Sequence, residues 1–382
     1  SHQPFNWLAE FYHILAGKKG FDVVIGNPPY VEYSKIKKLY EILNKDFQTL
    51  SCGNIYAAVT ERSVNISNSF AKNAFIIPIS LGSTKRLVNL LKILETRSCA
   101  YWTSFYAERP GKLFSGAEVL LNISIYSLSG SKVNEKFTTG LMKWNNSFRS
   151  YLFSSISYIK FSSSIRNYLI PKYSNNLENN VARKVFSHLN QPMDKYLLDY
   201  SSHKIFYRIG GGRYWKIFTT FQPMFIVEGN QSKSSRENYL YYGNEEELAL
   251  SLLSLSSTLF FWYFQITTNG RDLNPYDLRS FPIIDTKHIN SKRLLELKEL
   301  YMDSLRTNKQ VKEKTSKLTG HILYEEFYPR YSKSLIDEID TVLAEHYGFT
   351  EAELDFIINY DIKYRMGKAL FGEGEGSEEE EE

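Results

Sequence analysis

The hydrophobic pattern changes its rhythm along the chain. Residues 21–25, Phe-Asp-Val-Val-Ile, form a short apolar run that stops at Gly26-Asn27-Pro28-Pro29-Tyr30. Two consecutive prolines forbid helix and central strand, so the run predicts a strand ending in a stiff loop. Residues 55–69 suit a helix, with Gly53 and Asn54 as its start signal. Residues 74–79, Ala-Phe-Ile-Ile-Pro-Ile, predict a second buried strand. Ser83 fits as the N-cap of a helix over 84–96, which puts Leu87, Leu90, Leu91 and Leu94 on one face. Strands near 100–106 and 118–127 follow, placed to close as a hairpin. A strand–helix–strand–helix opening predicts parallel α/β architecture. Amphipathic helices are expected at about 245–265 and 291–318, and a small helical module over 332–367.

At ~150 residues per domain, the 382 residues make two to three domains. Hydrophobic residues at 43% and charged residues at 23% fit a globular chain. No apolar run reaches the ~18 residues that a membrane-spanning helix needs, and the first twenty residues lack a signal-peptide core. The two cysteines, Cys52 and Cys99, make no disulfide framework, which suits a reduced cytoplasm. The seven histidines show no metal spacing with cysteines or acids, so no metal is expected. The Ser-His start, without Met, is expected to be a cloning remnant on an excised fragment.

The net charge of +4 hides a strong asymmetry. Residues 373–382 hold seven acids and no base, a tail expected to be solvated and disordered. Residues 128–236 carry sixteen Lys/Arg and five acids, a net +11 interleaved with Ser, Asn and aromatic side chains. Basic charge beside many rings (28 Tyr and 25 Phe in the chain) is compatible with nucleic acid. Rings also fill cores, and Phe260 to Phe264 are expected to do so.

The stretch that carries chemistry is Asn27-Pro28-Pro29-Tyr30. An exocyclic amine on adenine is a poor nucleophile because its lone pair is delocalised into the ring. The Asn27 side-chain oxygen and the Pro28 carbonyl can each accept one N–H of that amine and so localise the lone pair. The prolines pre-set both acceptors. Tyr30 offers a ring face to a base rotated out of a duplex. The same four residues also serve as a rigid strand-to-loop turn with a buried Tyr, and the string alone does not separate the two readings.

Phe21 to Val31 resembles the catalytic motif of N6-adenine DNA methyltransferases. The segments Pro4 to Phe11, Asn54 to Arg62, Ala74 to Ser80, Lys112 to Glu118 and Tyr347 to Gly367 are similar to their counterparts in restriction–modification enzymes of the Eco57I-like type. The resemblance implies that Asn27, Pro28, Pro29 and Tyr30 hold the target adenine, with Phe114 as a second stacking partner; Phe114 is also readable as a core residue under the hairpin. It implies S-adenosylmethionine as methyl donor, double-stranded DNA as substrate, and no membrane. It departs from the family upstream of Asn27. Only 26 residues precede it, with no Gly-rich turn, and Gly210-Gly211-Gly212 lacks the strand–turn–helix spacing to replace one. The donor site is therefore expected largely in a missing N-terminal region. The fragment is expected to be inactive alone, and strand 21–25 to be an exposed edge open to self-association.

The implied organisation is α/β. A partial Rossmann-like methyltransferase core (1–128) precedes an α+β target-recognition domain (129–285), a helical C-terminal module (286–372) and the acidic tail (373–382). DNA contacts are expected from Arg208, Arg213, Tyr214 and Lys216 around the three glycines; the same segment also reads as a flexible surface loop without that role. Asn269 and Arg271, in a polar turn, are further candidates. Two other readings stay open. The chain could be a DNA-binding specificity module that keeps the motif as a remnant, or it could methylate a protein amide, which the basic segment argues against.

Overall fold

A computed structural model describes residues 6–38, 47–115, 118–129, 135–162, 169–212, 214–285, 289–316 and 319–367. The chain is mixed α/β and divides into two compact units. One comprises Ser1–Asn179 with Ile266–Asn269; the other comprises Asn180–Gln265 with Gly270–Glu382. The acidic tail lies outside the described residues.

The first unit is built on a six-stranded sheet. Its strands are β1 (Phe21–Gly26), β2 (Ser67–Pro78), β3 (Ser98–Tyr106), β4 (Leu121–Leu128), β5 (Glu135–Met142) and β6 (Ile159–Lys160), in the order β1-β2-β4-β3-β5-β6. β1 runs parallel to β2 and β3 parallel to β5, while β4 lies antiparallel between β2 and β3. The parallel opening and the β3–β4 antiparallel pair match the pattern expected from sequence. The charge change near residue 128 falls between two strands of this one sheet.

Helix α1 (Ile55–Asn65) makes the β1–β2 crossover and starts at Asn54, whose side chain accepts from the Tyr56 N–H. It stops four residues before the expected end at 69. Asn65 to Asn68 are weak helix formers, and the Phe21–Ser67 pairing gives their backbone a sheet partner instead. Helix α2 (Val88–Arg97) buries Leu90, Leu91 and Leu94, with Leu87 just before it, so the predicted face is the packed face. Ser83 is not its cap. The Ser83 hydroxyl donates to the Ile79 carbonyl at 2.8 Å, and a turn of 3-10 helix over Lys85–Leu87 leads into α2.

β1 is the edge of the sheet, as expected, and leaves Val23 and Ile25 exposed by 56% and 77%.

The second unit holds two four-stranded sheets. The first joins β7 (Leu197–Leu198), β8 (His203–Arg208), β9 (Phe218–Thr219) and β12 (Glu237–Tyr242) in the order β7-β12-β8-β9. The second joins β10 (Phe225–Val227), β11 (Asn230–Gln231), β13 (Gln310–Ser316) and β14 (Gly320–Glu326) in the order β11-β10-β14-β13. The expected helix 291–318 ends at Asn308 as α5 (Ser291–Asn308). Beyond it, Gln310 to Ser316 pair residue for residue with Gly320 to Glu326, a ladder that sequence periodicity did not reveal.

Helices α3 (Glu245–Ser256) and α4 (Thr258–Thr267) occupy the expected 245–265 span, bent by 64° at Ser257. Phe260 to Phe264 are at most 3% exposed, the core role expected of them. Each such ring contributes ~1.5–3 kcal/mol by leaving water. No single helix among the described residues is long and apolar enough to cross a membrane. The C-terminal helical module appears as α6 (Lys333–Tyr347), α7 (Glu351–Ile358) and α8 (Ile362–Met366). Gly348 takes the left-handed conformation that ends α6, and Thr350 with Glu353 forms the capping box of α7.

Candidate active site

The apolar run of β1 delivers Asn27 directly to the end of the sheet. Asn27 and Pro29 are exposed, Pro28 is buried and Tyr30 half-buried. The Tyr30 hydroxyl lies 2.6 Å from Asn27 Oδ1 and 3.0 Å from the Ile76 carbonyl of β2. One hydroxyl carries one proton, so these two acceptors share it, and the second lone pair of Oδ1 stays available. Burial pushes the Tyr30 phenol up to about 12, so it remains a donor across the neutral range. Its ring stands edge-on to Tyr56, 6.5 Å between centroids, and the Tyr56 hydroxyl is bonded to Ser80 at 2.8 Å.

The backbone after the motif is tied to the start of α1. The Val31 carbonyl accepts from the Ile55 N–H at 2.9 Å, the Gly53 carbonyl accepts from the Tyr33 N–H at 2.8 Å, and Glu32 forms a β-bridge with Asn54. The Arg86 guanidinium reaches Glu32 at 2.6 Å and holds its carboxyl below the usual range. To get there it crosses Gly53, where a Cβ would sit 1.9 Å from Arg86 Nη2; Gly53 also has φ +66°. The left-handed backbone favours glycine at this position, and any Cβ here would also push the Arg86 guanidinium aside.

Phe114 is also half-buried. It and Tyr30 pack against the same apolar cluster of Tyr106, Leu113, Leu121, Trp144 and Leu152. The two rings that the sequence reading paired thus share one apolar support, and Phe114 keeps partial exposure while contributing to the core. Arg149, which sequence reasoning missed, holds the Phe114 loop. Its two terminal nitrogens donate to the carbonyls of Lys112 and Leu113 at 2.7 and 2.6 Å. No residue-type pattern in the chain signals that contact, which is made across 36 positions.

The expected DNA contacts lie in different surroundings. Arg208 ends β8 and is exposed. Arg213 lies outside the described residues. Tyr214 stacks on Tyr364, 6.1 Å apart at 14°, and Arg365 covers the adjacent Trp215 ring at 3.9 Å. Lys216 corrects the sequence reading: it is only 8% exposed, and its ammonium donates to the carbonyls of Gly211 and Arg271 and lies over the Phe264 ring. That cation is committed to the loop's own scaffold, not to a phosphate, and burial pulls it down to about 8. The freedom of Gly212 (φ +63°) serves the loop's own turn, where a Cβ would meet the Trp215 carbonyl at 2.2 Å. Asn269 is half-buried and Arg271 exposed.

Among the described residues no group of His, Cys, Asp and Glu could hold a metal ion. Nor do they form a Gly-rich strand-to-helix turn leading into β1, so none of the described residues is assigned to a nucleoside methyl donor.

A curated relative, the putative type II restriction enzyme and methyltransferase of Methanocaldococcus jannaschii, is 32% identical over 117 residues, which is 31% of this chain and 9% of the relative. The solved type IIL restriction-modification enzyme MmeI in complex with DNA is similar over 96% of this chain and 59% of its own, at 13% identity and TM-score 0.47. The type IIG restriction endonuclease BpuSI is similar over 88% and 54%, at 12% identity and TM-score 0.31. The chain thus spans about a tenth of the curated relative's length. Residues 1–109, which carry Asn27 to Tyr30, match the Eco57I restriction-modification methylase family, the resemblance that the motif and its flanks imply.

Proposed function

We propose that the chain is the target-holding part of a DNA adenine-N6 methyltransferase of a restriction–modification system. The observation that carries this reading is the Asn27 carboxamide oxygen, exposed at the end of β1 and aimed by the Tyr30 hydroxyl at 2.6 Å. In this reading an adenine rotated out of the duplex slides between Tyr30 and Phe114, two rings on one apolar support. Its amine gives one N–H to Asn27 Oδ1 and the other to the Pro28 carbonyl. The nitrogen lone pair is thereby drawn out of the ring and turned toward an incoming methyl group. Positive charge that builds on the amine is spread over two acceptors fixed before the reaction, so little reorganisation accompanies the step. Tyr30, kept protonated by burial, orients the amide and takes up no proton.

S-adenosylmethionine is the donor in this reading; when bound it would supply an electrophilic methyl group and leave as the neutral thioether, and the proton lost by the amine passes to solvent. The second unit supplies DNA contacts from the basic segment. Methyl transfer to duplex DNA, measured with the chain in its full-length protein, tests the proposal. Asn27→Ala is expected to lower kcat by ~100-fold or more, the scale of one pre-set polar contact to the reacting group. Equal activity in the two proteins would defeat it.

A further inference from the structure

The sheet of β7, β12, β8 and β9 presents a face that no sequence motif marked. Alternate residues of a strand share a face. Lys204, Phe206 and Arg208 of β8 therefore lie together, paired across to Tyr241, Tyr239 and Glu237 of β12. The rings form a continuous ladder. Phe206 meets Tyr239 edge-on at 5.1 Å, Tyr239 stacks on Tyr241 at 6.1 Å, and Tyr241 meets Tyr200 at 5.5 Å. Tyr200 is 81% exposed and extends the ladder into solvent.

Ammonium groups ride on these rings. Lys233 lies 3.9 Å above Tyr239, and Lys204 lies 5.2 Å from Phe206 and 5.7 Å from Tyr239. Among the residues of β8 and β12 that share this face one is an acid, Glu237, and it accepts the Tyr239 hydroxyl. The balance is three cations to one acid.

We infer that this face is a phosphate-backbone contact for duplex DNA, with Lys204, Lys233 and Arg208 neutralising phosphates. Rings beneath the lysines narrow the conformations their long side chains sample, so less freedom is lost when a phosphate arrives. Lys233 already covers one face of Tyr239, which favours phosphates over unpaired bases as the ligand. Such contacts set register and carry no sequence information. The inference rests on the proposal that the chain acts on DNA, and adds the surface on which the duplex lies.

The test is fluorescence anisotropy of the whole chain with labelled duplexes of two unrelated sequences, between about 50 and 200 mM salt. The double variant Lys204→Gln/Lys233→Gln keeps every ring. It is expected to weaken both duplexes equally and to reduce the log–log salt slope by ~1.8, about 0.9 per lost phosphate contact. Arg208→Gln alone is expected to remove ~0.9. A wild-type chain that binds with strong salt dependence, beside a double variant of unchanged slope, overturns this surface and leaves the DNA reading standing. Preferential binding of single strands overturns it in favour of base stacking. A wild-type chain that binds no duplex overturns both readings.

Discussion

The Tyr30 hydroxyl donates to Asn27 Oδ1 across 2.6 Å, so the residue that offers a ring to the target base also aims the amide that would accept its amine. Tyr30→Phe separates the two roles. The ring and its packing remain while the aiming bond goes. The expected outcome is a fall in kcat of ~5-fold, near the ~1 kcal/mol of one neutral hydrogen bond, with KM little changed. Steady-state methylation of duplex DNA by the full-length protein checks it; an altered KM with unchanged kcat would place Tyr30 in binding only.

Arg149 closes on two successive carbonyls just before Phe114. Arg149→Ala is expected to cost ~1–2 kcal/mol, less than two charge-assisted bonds would suggest, because the side chain is exposed. Arg149→Lys restores the charge without the fork and is expected to recover less than half of that loss. Urea unfolding midpoints of the three proteins give the comparison.

Lys216 titrates at about 8 in the fold, below its ordinary 10.5, because burial disfavours the ammonium. Between these values the unfolded chain binds more protons, so this group's contribution to stability rises with pH from 8 to 10.5, by up to ~3 kcal/mol. Wild type minus Lys216→Met, followed by denaturant unfolding at pH 7.5 and 10, is expected to grow in favour of wild type. A pH-independent difference would contradict the buried ammonium.

Asp340 behaves oppositely. It is buried and accepts the N–H groups of Thr258 and Leu259 at the start of α4, and desolvation raises its carboxyl to about 6 from 3.8. Here the folded chain binds more protons in the window between the two values. Its contribution therefore grows as pH falls from 6 to 3.8, by up to ~3 kcal/mol. Asp340→Asn removes the titration. The stability gap between the two proteins, measured at pH 7 and pH 4.5, is expected to shift toward wild type at the lower pH.

The first unit was legible where local signals agree with long-range pairing. The prolines after Ile25 end β1, and the leucine spacing of α2 matches its buried face. The pairing of Tyr30 with Phe114 came from the resemblance, and the shared apolar support came from the structure. The illegible parts are contacts without a local pattern. Arg149 and Arg86 act across 36 and 54 positions. Lys216 misled because a lysine beside glycines and aromatics looks the same in sequence whether it reaches outward to a ligand or inward to carbonyls. The β13–β14 hairpin escaped because charged residues in strand β13 mimic an exposed helix face.

The passage of Arg86 over Gly53 to Glu32 makes these three positions one heritable unit. Any side chain at residue 53 displaces the guanidinium, and a neutral residue at 86 or 32 removes the reason for the crossing while leaving the backbone constraint. In a library randomised at these sites, viable combinations should be correlated rather than independent. The stiffness of the loop bearing Asn27 would then be tuned from residue 86, a position with no sequence signature of its own.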